Sequence, residues 1–354
     1  MQINTIGWDI GGAHVKAALV NTDGCCVAVY QQPCPLWKGL DQLRNAVNMI
    51  LAGMPGGDTV HAITMTGELV DLFANRDAGV VSIINTMRTL LPNTELLIYA
   101  GQEGFVESSK IAVKHYEAIA SANWLASASL TAQKIGNGLF VDIGSTTTDI
   151  LLLCDSQVLA EGVSDYQRLL SQELIYTGIV RTAVMAVAQT TLDKGREIGL
   201  MAEYFATMAD VYRLTGELEE SHDQTDTADG AEKTVFASAK RLARMIGCDF
   251  SDEELPRWQQ LAEDIRAQQL YKIQRACQRQ LSRQPLAKNS PIIGAGVGRF
   301  LVRQLALDLG RPYRDFSELL AEHAQIQTGM STADCAPAAA VACLAREYSH
   351  ARDS

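Results

Sequence analysis

The chain contains two copies of a short apolar run that ends in Asp-Ile-Gly and continues into small or hydroxyl residues: Gly7-Trp8-Asp9-Ile10-Gly11-Gly12-Ala13-His14-Val15-Lys16 and Val141-Asp142-Ile143-Gly144-Ser145-Thr146-Thr147-Thr148-Asp149. Each copy predicts a β-strand that ends in an acid, a tight turn and a returning strand. Glycine lets backbone N–H groups converge on an anion, and the neighbouring Asp can hold a divalent cation beside it. The pair therefore indicates a duplicated phosphate-binding element.

A third glycine cluster lies in the last fifth of the chain. Residues 290–301 predict an apolar strand, a turn around Gly294-Ala295-Gly296 and the start of a helix. Taken alone, each glycine loop also fits a purely structural turn. Three such loops in this order resemble the superfamily of acetate kinase, sugar kinases, Hsp70 and actin, whose two lobes close on a phosphorylated ligand. The resemblance implies an α/β fold of two duplicated, ribonuclease H-like lobes with a helical insertion in the second.

Hydrophobic periodicity gives the expected layout of these lobes. The first lobe is predicted to span residues 1–134, with a C-terminal helix in 331–354 packing back on it, and the second to span 135–330, including a mostly helical segment at 167–281. A polar stretch at 219–229 is expected to be a solvated loop. Strands are predicted at Thr5–Ile10, Val15–Asn21, Cys25–Gln31, Val60–Met65, Glu95–Ala100, Leu139–Asp142, Thr148–Cys154 and Gln157–Glu161, and an Ala/Ser-rich helix at Ala118–Lys134.

Composition limits the classes of partner. The 354 residues suffice for two domains, and 30 basic against 41 acidic residues give a net charge of −11. Such a chain is not expected to bind nucleic acid or an anionic membrane. Its eight cysteines form no Cys-x-x-Cys pair, and no signal or membrane-spanning segment is evident, so we expect a reduced, cytoplasmic protein. Self-association into a homo-oligomer is left open.

Further candidate site residues follow predicted strand or helix ends. Thr66, Glu68 and Asp71 come just after a buried strand, where ligands collect in open α/β sheets. Tyr176 and Arg181 add a phenol and a guanidinium in residues 174–182. Glu203 and Asp210 lie two turns apart on a predicted helix.

These segments, together with the Gly-Gly-Ala-x-x-Lys start, resemble the methanofuran-biosynthesis branch of the hydantoinase/oxoprolinase-like proteins. Bacterial members of that branch occur with the tetrahydromethanopterin-linked one-carbon pathway. Archaeal members join an aminomethylfuran diphosphate to glutamyl-tyramine, forming an aryl ether and releasing diphosphate. The resemblance implies a transferase whose partners are small molecules, a furan diphosphate and a tyramine derivative, with Mg²⁺ or another divalent cation as cofactor.

The resemblance and the residue chemistry together give each candidate a role. Asp9 and Asp142 would hold the metal, while Lys16 or Arg181 would supply a cation. Candidate bases for the phenol, whose unperturbed pKa is near 10, are Glu68, Asp71 and Asp210. The catalytic set is Asp142, Asp9, Lys16 and Glu68; the phosphate-binding set is Gly11, Gly12, Gly144, Ser145, Thr146, Gly294 and Gly296; the substrate-binding set is Thr66, Asp71, Tyr176, Arg181 and Asp210.

Each role has a structural alternative. Lys16 also fits an exposed strand charge, Glu68 and Asp71 fit first-turn acids favoured by a helix dipole, and Tyr176 fits interface packing. For the whole protein, the main alternative is an ATP-dependent kinase or an oxoprolinase-type amide hydrolase, because a diphosphate on adenosine presents the same group to the loops. A repressor-like or actin-like role is disfavoured because the chain is acidic and begins directly in the sheet.

Overall fold

The computed structural model describes residues 4–55, 57–320 and 330–353. The chain divides into two compact units. Unit 1 is formed by the described residues within 1–137, 153–159 and 315–354, and unit 2 by residues 138–152 and 160–314. Unit 1 therefore ends its first segment at 137, against the predicted 134. It also includes residues 153–159, which were predicted in the second lobe, and its last segment begins at 315, against the predicted 331.

Unit 1 contains a six-stranded sheet with the order β3-β2-β1-β4-β5-β6. The first three strands form an antiparallel meander, β1 and β4 are parallel, β4 and β5 are parallel, and β6 returns antiparallel. The elements are β1 (Asn4–Ile10), β2 (His14–Val20), β3 (Cys26–Pro33), α1 (Leu40–Gly53), β4 (Thr59–Met65), α2 (Arg76–Leu90), β5 (Glu95–Tyr99), β6 (Phe105–Glu107), α3 (Tyr116–Ile119) and α4 (Asn123–Ile135).

The sheet of unit 2 has the order β10-β8-β7-β13-β14, and β9 also pairs with β8. Its elements are β7 (Gly138–Ile143), β8 (Thr148–Cys154), β9 (Gln157–Val158), α5 (Asp165–Ser171), β10 (Leu174–Ile175), α6 (Val184–Val187), β11 (Thr190–Asp193), β12 (Arg196–Gly199), α7 (Met208–Leu214), α8 (Val235–Met245), α9 (Leu255–Arg283), β13 (Ile292–Ala295), α10 (Arg299–Asp308) and β14 (Tyr313–Asp315). The ends of β8 and β14 and the whole of β9 fall in unit 1, which is completed by α11 (Ala336–Asp353). No helix in the described part of the chain is long and apolar enough to cross a membrane.

Three local predictions differ from the structure. The segment 167–281 contains β10 and the hairpin β11–β12 as well as helices; the hairpin turns at Lys194-Gly195, where both residues have positive φ, which matches the twist of a two-residue hairpin. The predicted helix 118–134 is interrupted between α3 and α4, where Ser121 has a φ of +52°. The stretch 219–229 is not wholly solvated, because Asp223 is buried.

Helix α11 packs directly on strand β1. A Cβ atom added at Gly7 would overlap the carbonyl oxygen of Ala338 and would lie 2.9 Å from the Cβ of Ala342. The small-residue run at the start of α11 is therefore needed for contact between helix and strand backbones. On the other face of the sheet, Trp8 and Ile63 pack into an apolar core with residues of α1 and α2.

A buried Trp-His pair links β1 to β4. The indole Nε1 of Trp8 donates to Nδ1 of His61 at 3.0 Å, so the proton of the imidazole is assigned to Nε2, which lies 3.0 Å from Oγ1 of Thr59. Burial lowers the pKa of His61 from 6.5 to about 4. The folded protein therefore keeps His61 neutral at pH values where the unfolded chain protonates it.

This pair predicts a loss of stability in mild acid. The contribution of His61 is complete above pH 6.5, where the unfolded chain is also neutral, and falls as the pH drops towards its folded pKa of about 4. Between pH 7.5 and pH 5 the free energy of unfolding should fall by about 2 kcal/mol from this group. Urea titrations at the two pH values measure the change. His61→Gln should remove this fall in the free energy of unfolding. The control is His350→Gln, on the exposed end of α11, which should leave the fall unchanged. An equal pH dependence in wild type and His61→Gln would contradict the assignment.

Candidate functional site

The first predicted loop of unit 1 is a tight turn between β1 and β2. Gly11 N donates to the carbonyl of His14 at 2.9 Å, and a Cβ on Gly11 would lie 2.9 Å from that same oxygen. A Cβ on Gly12 would lie 2.8 Å from a methyl of Val70. Both predicted phosphate-binding glycines therefore have a steric reason to be glycine, and Asp9 lies buried at the end of the strand that leads into them.

Lys16 lies directly opposite Asp9 in the register of β1 and β2. Its ammonium donates to the backbone carbonyl of Asp334 at 2.8 Å, in the segment just before α11. Asp334 is itself buried, and its carboxylate accepts from the backbone N–H and the hydroxyl of Ser331. Sequence reasoning missed this segment, which accepts a hydrogen bond from the Lys16 ammonium. The role of Lys16 toward phosphate stays a prediction.

Glu68 follows β4 and is buried in unit 1. Thr66 N donates to the carbonyl of Ile10 at 3.0 Å, which joins the end of β4 to the end of β1. The hydroxyl of Ser121 donates to Glu68 Oε1 at 2.8 Å. Asp71, the other acid predicted here, is exposed. Of the two, Glu68 alone lies among the polar groups at the strand ends.

A second contact reaches Asp9 from the start of α4. Asn123 Nδ2 donates to Asp9 Oδ1 at 3.3 Å. Neither Asn123 nor Ser121 was singled out from the sequence, because both lie in a stretch predicted to be one continuous helix. The signal available was the Ser-Ala-Asn sequence itself, since Ser and Asn favour helix starts and left-handed turns.

The second predicted loop, in unit 2, follows β7. Asp142 is half-buried at the end of that strand, and Gly144 N donates to the carbonyl of Thr147 at 2.9 Å to close the turn. The hydroxyls of Ser145 and Thr146 lie 3.4 Å apart, and both residues are half-buried. This loop carries two hydroxyl groups in addition to backbone amides.

Residues 177–182 pack against this loop from within unit 2. Ile179 N donates to Gly144 O at 3.1 Å, and Arg181 N donates to Ser145 O at 2.9 Å. A Cβ at Gly178 would overlap the backbone nitrogen of Thr146. The guanidinium of Arg181 reaches Thr146 Oγ1 at 3.4 Å. The structure therefore brings Arg181 to the loop.

Two side chains beside this segment have different surroundings. Tyr176 is 66% exposed, so its ring is available to solvent. Gln269, on α9, is fully buried and donates to Thr177 Oγ1 at 2.7 Å and to Gly178 O at 3.0 Å, while Tyr212 donates to its carbonyl oxygen. Gln269 was not found from the sequence, where it is one of many Gln residues on a long polar helix.

The third glycine cluster contacts Asp142. Strand β13 is parallel to β7 and places Ala295 beside Asp142. Gly296 has a φ of +78°, and a Cβ there would overlap the Oδ1 atom of Asp142. Gly294 differs, because a Cβ on it would lie 2.8 Å from the ring of Tyr313. The structure gives Gly294 a packing role inside the strand and places Gly296 at the acid.

Asp210 lies in a buried ion network, and this geometry does not support its prediction as substrate ligand or base. Its Oδ1 accepts from Arg241 and from Ser238 at 2.8 and 2.7 Å, and its Oδ2 accepts from Thr207 N at 3.0 Å. Arg213 lies 3.7 Å from the same carboxylate. Protein groups therefore engage both oxygens, and Asp210 acts as the counter-ion of two buried guanidinium groups. Glu203, its predicted partner, is exposed.

Binding of magnesium at Asp142 together with a phosphorylated ligand stays a prediction, and the chemistry of that carboxylate is compatible with it. Among the described residues, no group of three or more His, Cys, Asp or Glu side chains is placed to hold a metal. Mg²⁺ is commonly held by one or two carboxylates together with phosphate oxygens and water. The carboxylate of Asp142, which packs against Gly296, is the hard oxygen donor that such an ion prefers.

Comparisons with known proteins identify a family and two relatives by sequence. The family model for hydantoinase/oxoprolinase matches residues 59–338. The chain is 32% identical over 259 residues to a protein of Methanocaldococcus jannaschii named (4-{4-[2-(gamma-L-glutamylamino)ethyl]phenoxymethyl}furan-2-yl)methanamine synthase, covering 72% of this chain and 76% of that protein. A protein of the same name from Methanococcus vannielii is 30% identical over 115 residues, covering 32% of this chain and 51% of that protein.

A solved structure of nucleotide-free acetone carboxylase is similar over 97% of this chain and 70% of that chain, with 10% identity and a TM-score of 0.56. This likeness shows the fold. The predicted α/β fold of the actin, Hsp70 and sugar-kinase type is confirmed.

The network around Asp210 predicts a structural effect of mutation. Asp210→Asn removes the buried charge that Arg241 and Arg213 share, while Asp229 still pairs with Arg241 and Asp223 with Arg213, and it should lower the free energy of unfolding by about 2 kcal/mol. Asp71→Asn, on the surface, should change it by less than about 0.5 kcal/mol. Urea unfolding of the two variants measures both values. A near wild-type stability for Asp210→Asn would contradict the structural role.

Proposed function

This chain belongs to the hydantoinase/oxoprolinase family, and on that premise we propose that it is a transferase of cofactor biosynthesis. It joins an aminomethylfuran diphosphate to the phenol of tyramine or glutamyl-tyramine and releases diphosphate. The product serves a methanofuran-type or methylofuran-type cofactor of tetrahydromethanopterin-linked one-carbon metabolism. The proposed partners of the protein are small molecules, and its proposed location is the cytoplasm.

The observation that carries this proposal is the 32% identity over 72% of the chain to a named synthase. The compound in that name contains a phenoxymethyl-furan, which is an ether between a phenol oxygen and a furan methylene. It also contains a γ-glutamylaminoethyl arm on the phenol ring. Both parts correspond to the two substrates proposed for this chain.

The reaction is a substitution at the furan methylene. The phenol oxygen forms a bond to that carbon, and the carbon–oxygen bond to diphosphate breaks with both electrons going to the leaving group. The phenolic proton passes to a base, for which the buried Glu68 is proposed. No oxidant or reductant is consumed, so the step balances with diphosphate and the ether as products.

Release of diphosphate requires compensation of its negative charge. The chain carries a net charge of −11, so local groups must supply this compensation. In unit 2 the backbone amides of Gly144–Thr146 and the guanidinium of Arg181 are proposed to bind phosphate oxygens. In unit 1 the turn at Gly11 and Gly12, with Lys16, is proposed for the same task.

Magnesium would neutralise charge on the diphosphate when bound, and the proposed ligands are Asp142 within unit 2 and Asp9 within unit 1, each taken by itself. The protein side chains orient the two substrates and keep the leaving group and phenol in place. The exposed Tyr176, adjacent to the segment that braces the unit 2 loop, is proposed to contact an aromatic substrate ring.

The proposal predicts ether formation without a nucleotide. Purified protein, aminomethylfuran diphosphate, γ-glutamyl-tyramine and Mg²⁺ should give the ether and one equivalent of diphosphate, measured by mass spectrometry and a diphosphate assay. Asp142→Asn should lower turnover at least about 100-fold at saturating Mg²⁺, because the site loses a charge while the side chain keeps its shape.

Two further measurements distinguish the proposed transferase from an ATP-dependent enzyme. Inorganic diphosphate with Mg²⁺ should raise the thermal midpoint of the wild type, and Asp142→Asn should be folded but show a smaller rise. Product that appears only with ATP, with ADP or AMP released in step, would favour the ATP-dependent kinase or hydrolase instead. Full turnover by Asp142→Asn would identify this acid as a structural turn residue.

A further inference from the structure

One short turn in unit 1 contacts both acids that the proposed reaction uses there. The turn, Ser121-Ala122-Asn123, leads from α3 into α4 and ends on the first residue of α4. Ser121 donates to Glu68 Oε1 at 2.8 Å, and Asn123 donates to Asp9 Oδ1 at 3.3 Å. Asp9 lies at the end of β1 and Glu68 follows the neighbouring parallel strand β4, while the two donors are only two residues apart in the chain.

The backbone of this turn has an uncommon conformation. Ser121 is buried and has a φ of +52°, in a region that a residue with a Cβ rarely adopts. Such a conformation is unfavourable and persists where the surrounding contacts determine it. The hydrogen bond to Glu68 is made by the side chain of this same residue.

Asn123 also has a second contact that fixes its side chain. Its Oδ1 accepts from Trp124 N at 2.7 Å, so the amide NH₂ is the group directed at Asp9. Asn123 is the first residue of α4, a 13-residue helix, and the positive end of the helix dipole adds to the favourable environment of an anionic Asp9.

We propose that Ser121 and Asn123 are positioning residues of the unit 1 site: Ser121 holds the carboxylate of Glu68 and Asn123 holds that of Asp9. The inference rests on the proposed function, since it assigns these residues to acids that act in that reaction. Neither residue contacts substrate in this account. Each acts by fixing the orientation of an acid, and substitutions of such supporting groups typically cost about 10-fold to 100-fold in activity or metal affinity.

The test for Ser121 is a double-mutant cycle. Ser121→Ala should lower kcat about tenfold with KM changed less than about twofold, because the binding groups stay in place. In a Glu68→Gln background the same substitution should have no further effect, since the partner it orients is already lost. Single-turnover measurements give the rates of the slow variants. Equal effects in both backgrounds would overturn the role of Ser121.

The test for Asn123 uses a matched substitution. Asn123→Asp keeps the oxygen that accepts from Trp124 N but removes the donor to Asp9, and it should lower kcat about tenfold. Asn75→Asp is the control, because Asn75 accepts from Ala78 N at the start of α2 and contacts neither acid through a described hydrogen bond. It should keep wild-type kcat. Wild-type kcat for Asn123→Asp would overturn the role of Asn123.

The readouts separate this inference from the proposed function. Thermal midpoints of Ser121→Ala and Asn123→Asp report folding, and Ser121→Gly, which relieves the positive φ, provides a second hydroxyl-free variant that should also lose kcat. A wild-type protein without ether-forming activity would refute the proposed function. An active wild type whose Ser121 and Asn123 variants keep full kcat would refute the positioning role alone.

Discussion

Within each unit, neighbouring segments pack through close contacts between their backbones. These contacts occur at positions that only glycine can occupy. In unit 1, α11 rests on β1 at Gly7, where a Cβ would overlap Ala338. In unit 2, Gly178 lets residues 177–182 lie against the turn that carries Ser145 and Thr146, and Gly296 lets the third cluster lie against Asp142. These contacts place backbone amides and acids at strand ends, where the proposed reaction needs them to meet a diphosphate leaving group.

The charges of the molecule fall into two groups with different tasks. One group is buried and links α7 to α8 through ion pairs, in which Asp210 pairs with Arg213 and Arg241. Arg181, in contrast, is half-buried and reaches a hydroxyl of the proposed phosphate loop. The chain has a net charge of −11, so a cation at a glycine loop can compensate a bound anion. Arg181 therefore indicates a binding site more clearly than the two buried arginines do.

The sequence predicted the elements whose signals are local. The Asp-Ile-Gly loops and the meanders on either side of them follow from strand periodicity and turn residues, whereas the fold class was implied by the resemblance that the three glycine loops carry. Asp210 was assigned to a site because acids on a helix look alike in sequence; its Arg241 partner is 31 residues away and is apparent only in the folded chain. Gln269 and Asn123 were missed for the same reason. Gln269 donates to Gly178, 91 residues away in the chain, and Asn123 donates to Asp9, 114 residues away. The interruption between α3 and α4 was missed because the Ala/Ser composition favours a continuous helix.

The most direct test of the central claim is the fate of one oxygen atom. Aminomethylfuran diphosphate can be prepared with ¹⁸O at the position that bridges the furan methylene and phosphorus, and the products of turnover can be analysed by mass spectrometry. Cleavage of the carbon–oxygen bond, as proposed here, predicts that the label leaves in the released diphosphate and that the ether contains none. Label retained on a furan alcohol, with phosphate transferred to an acceptor, would contradict the account and identify phosphoryl-transfer chemistry of the kinase type.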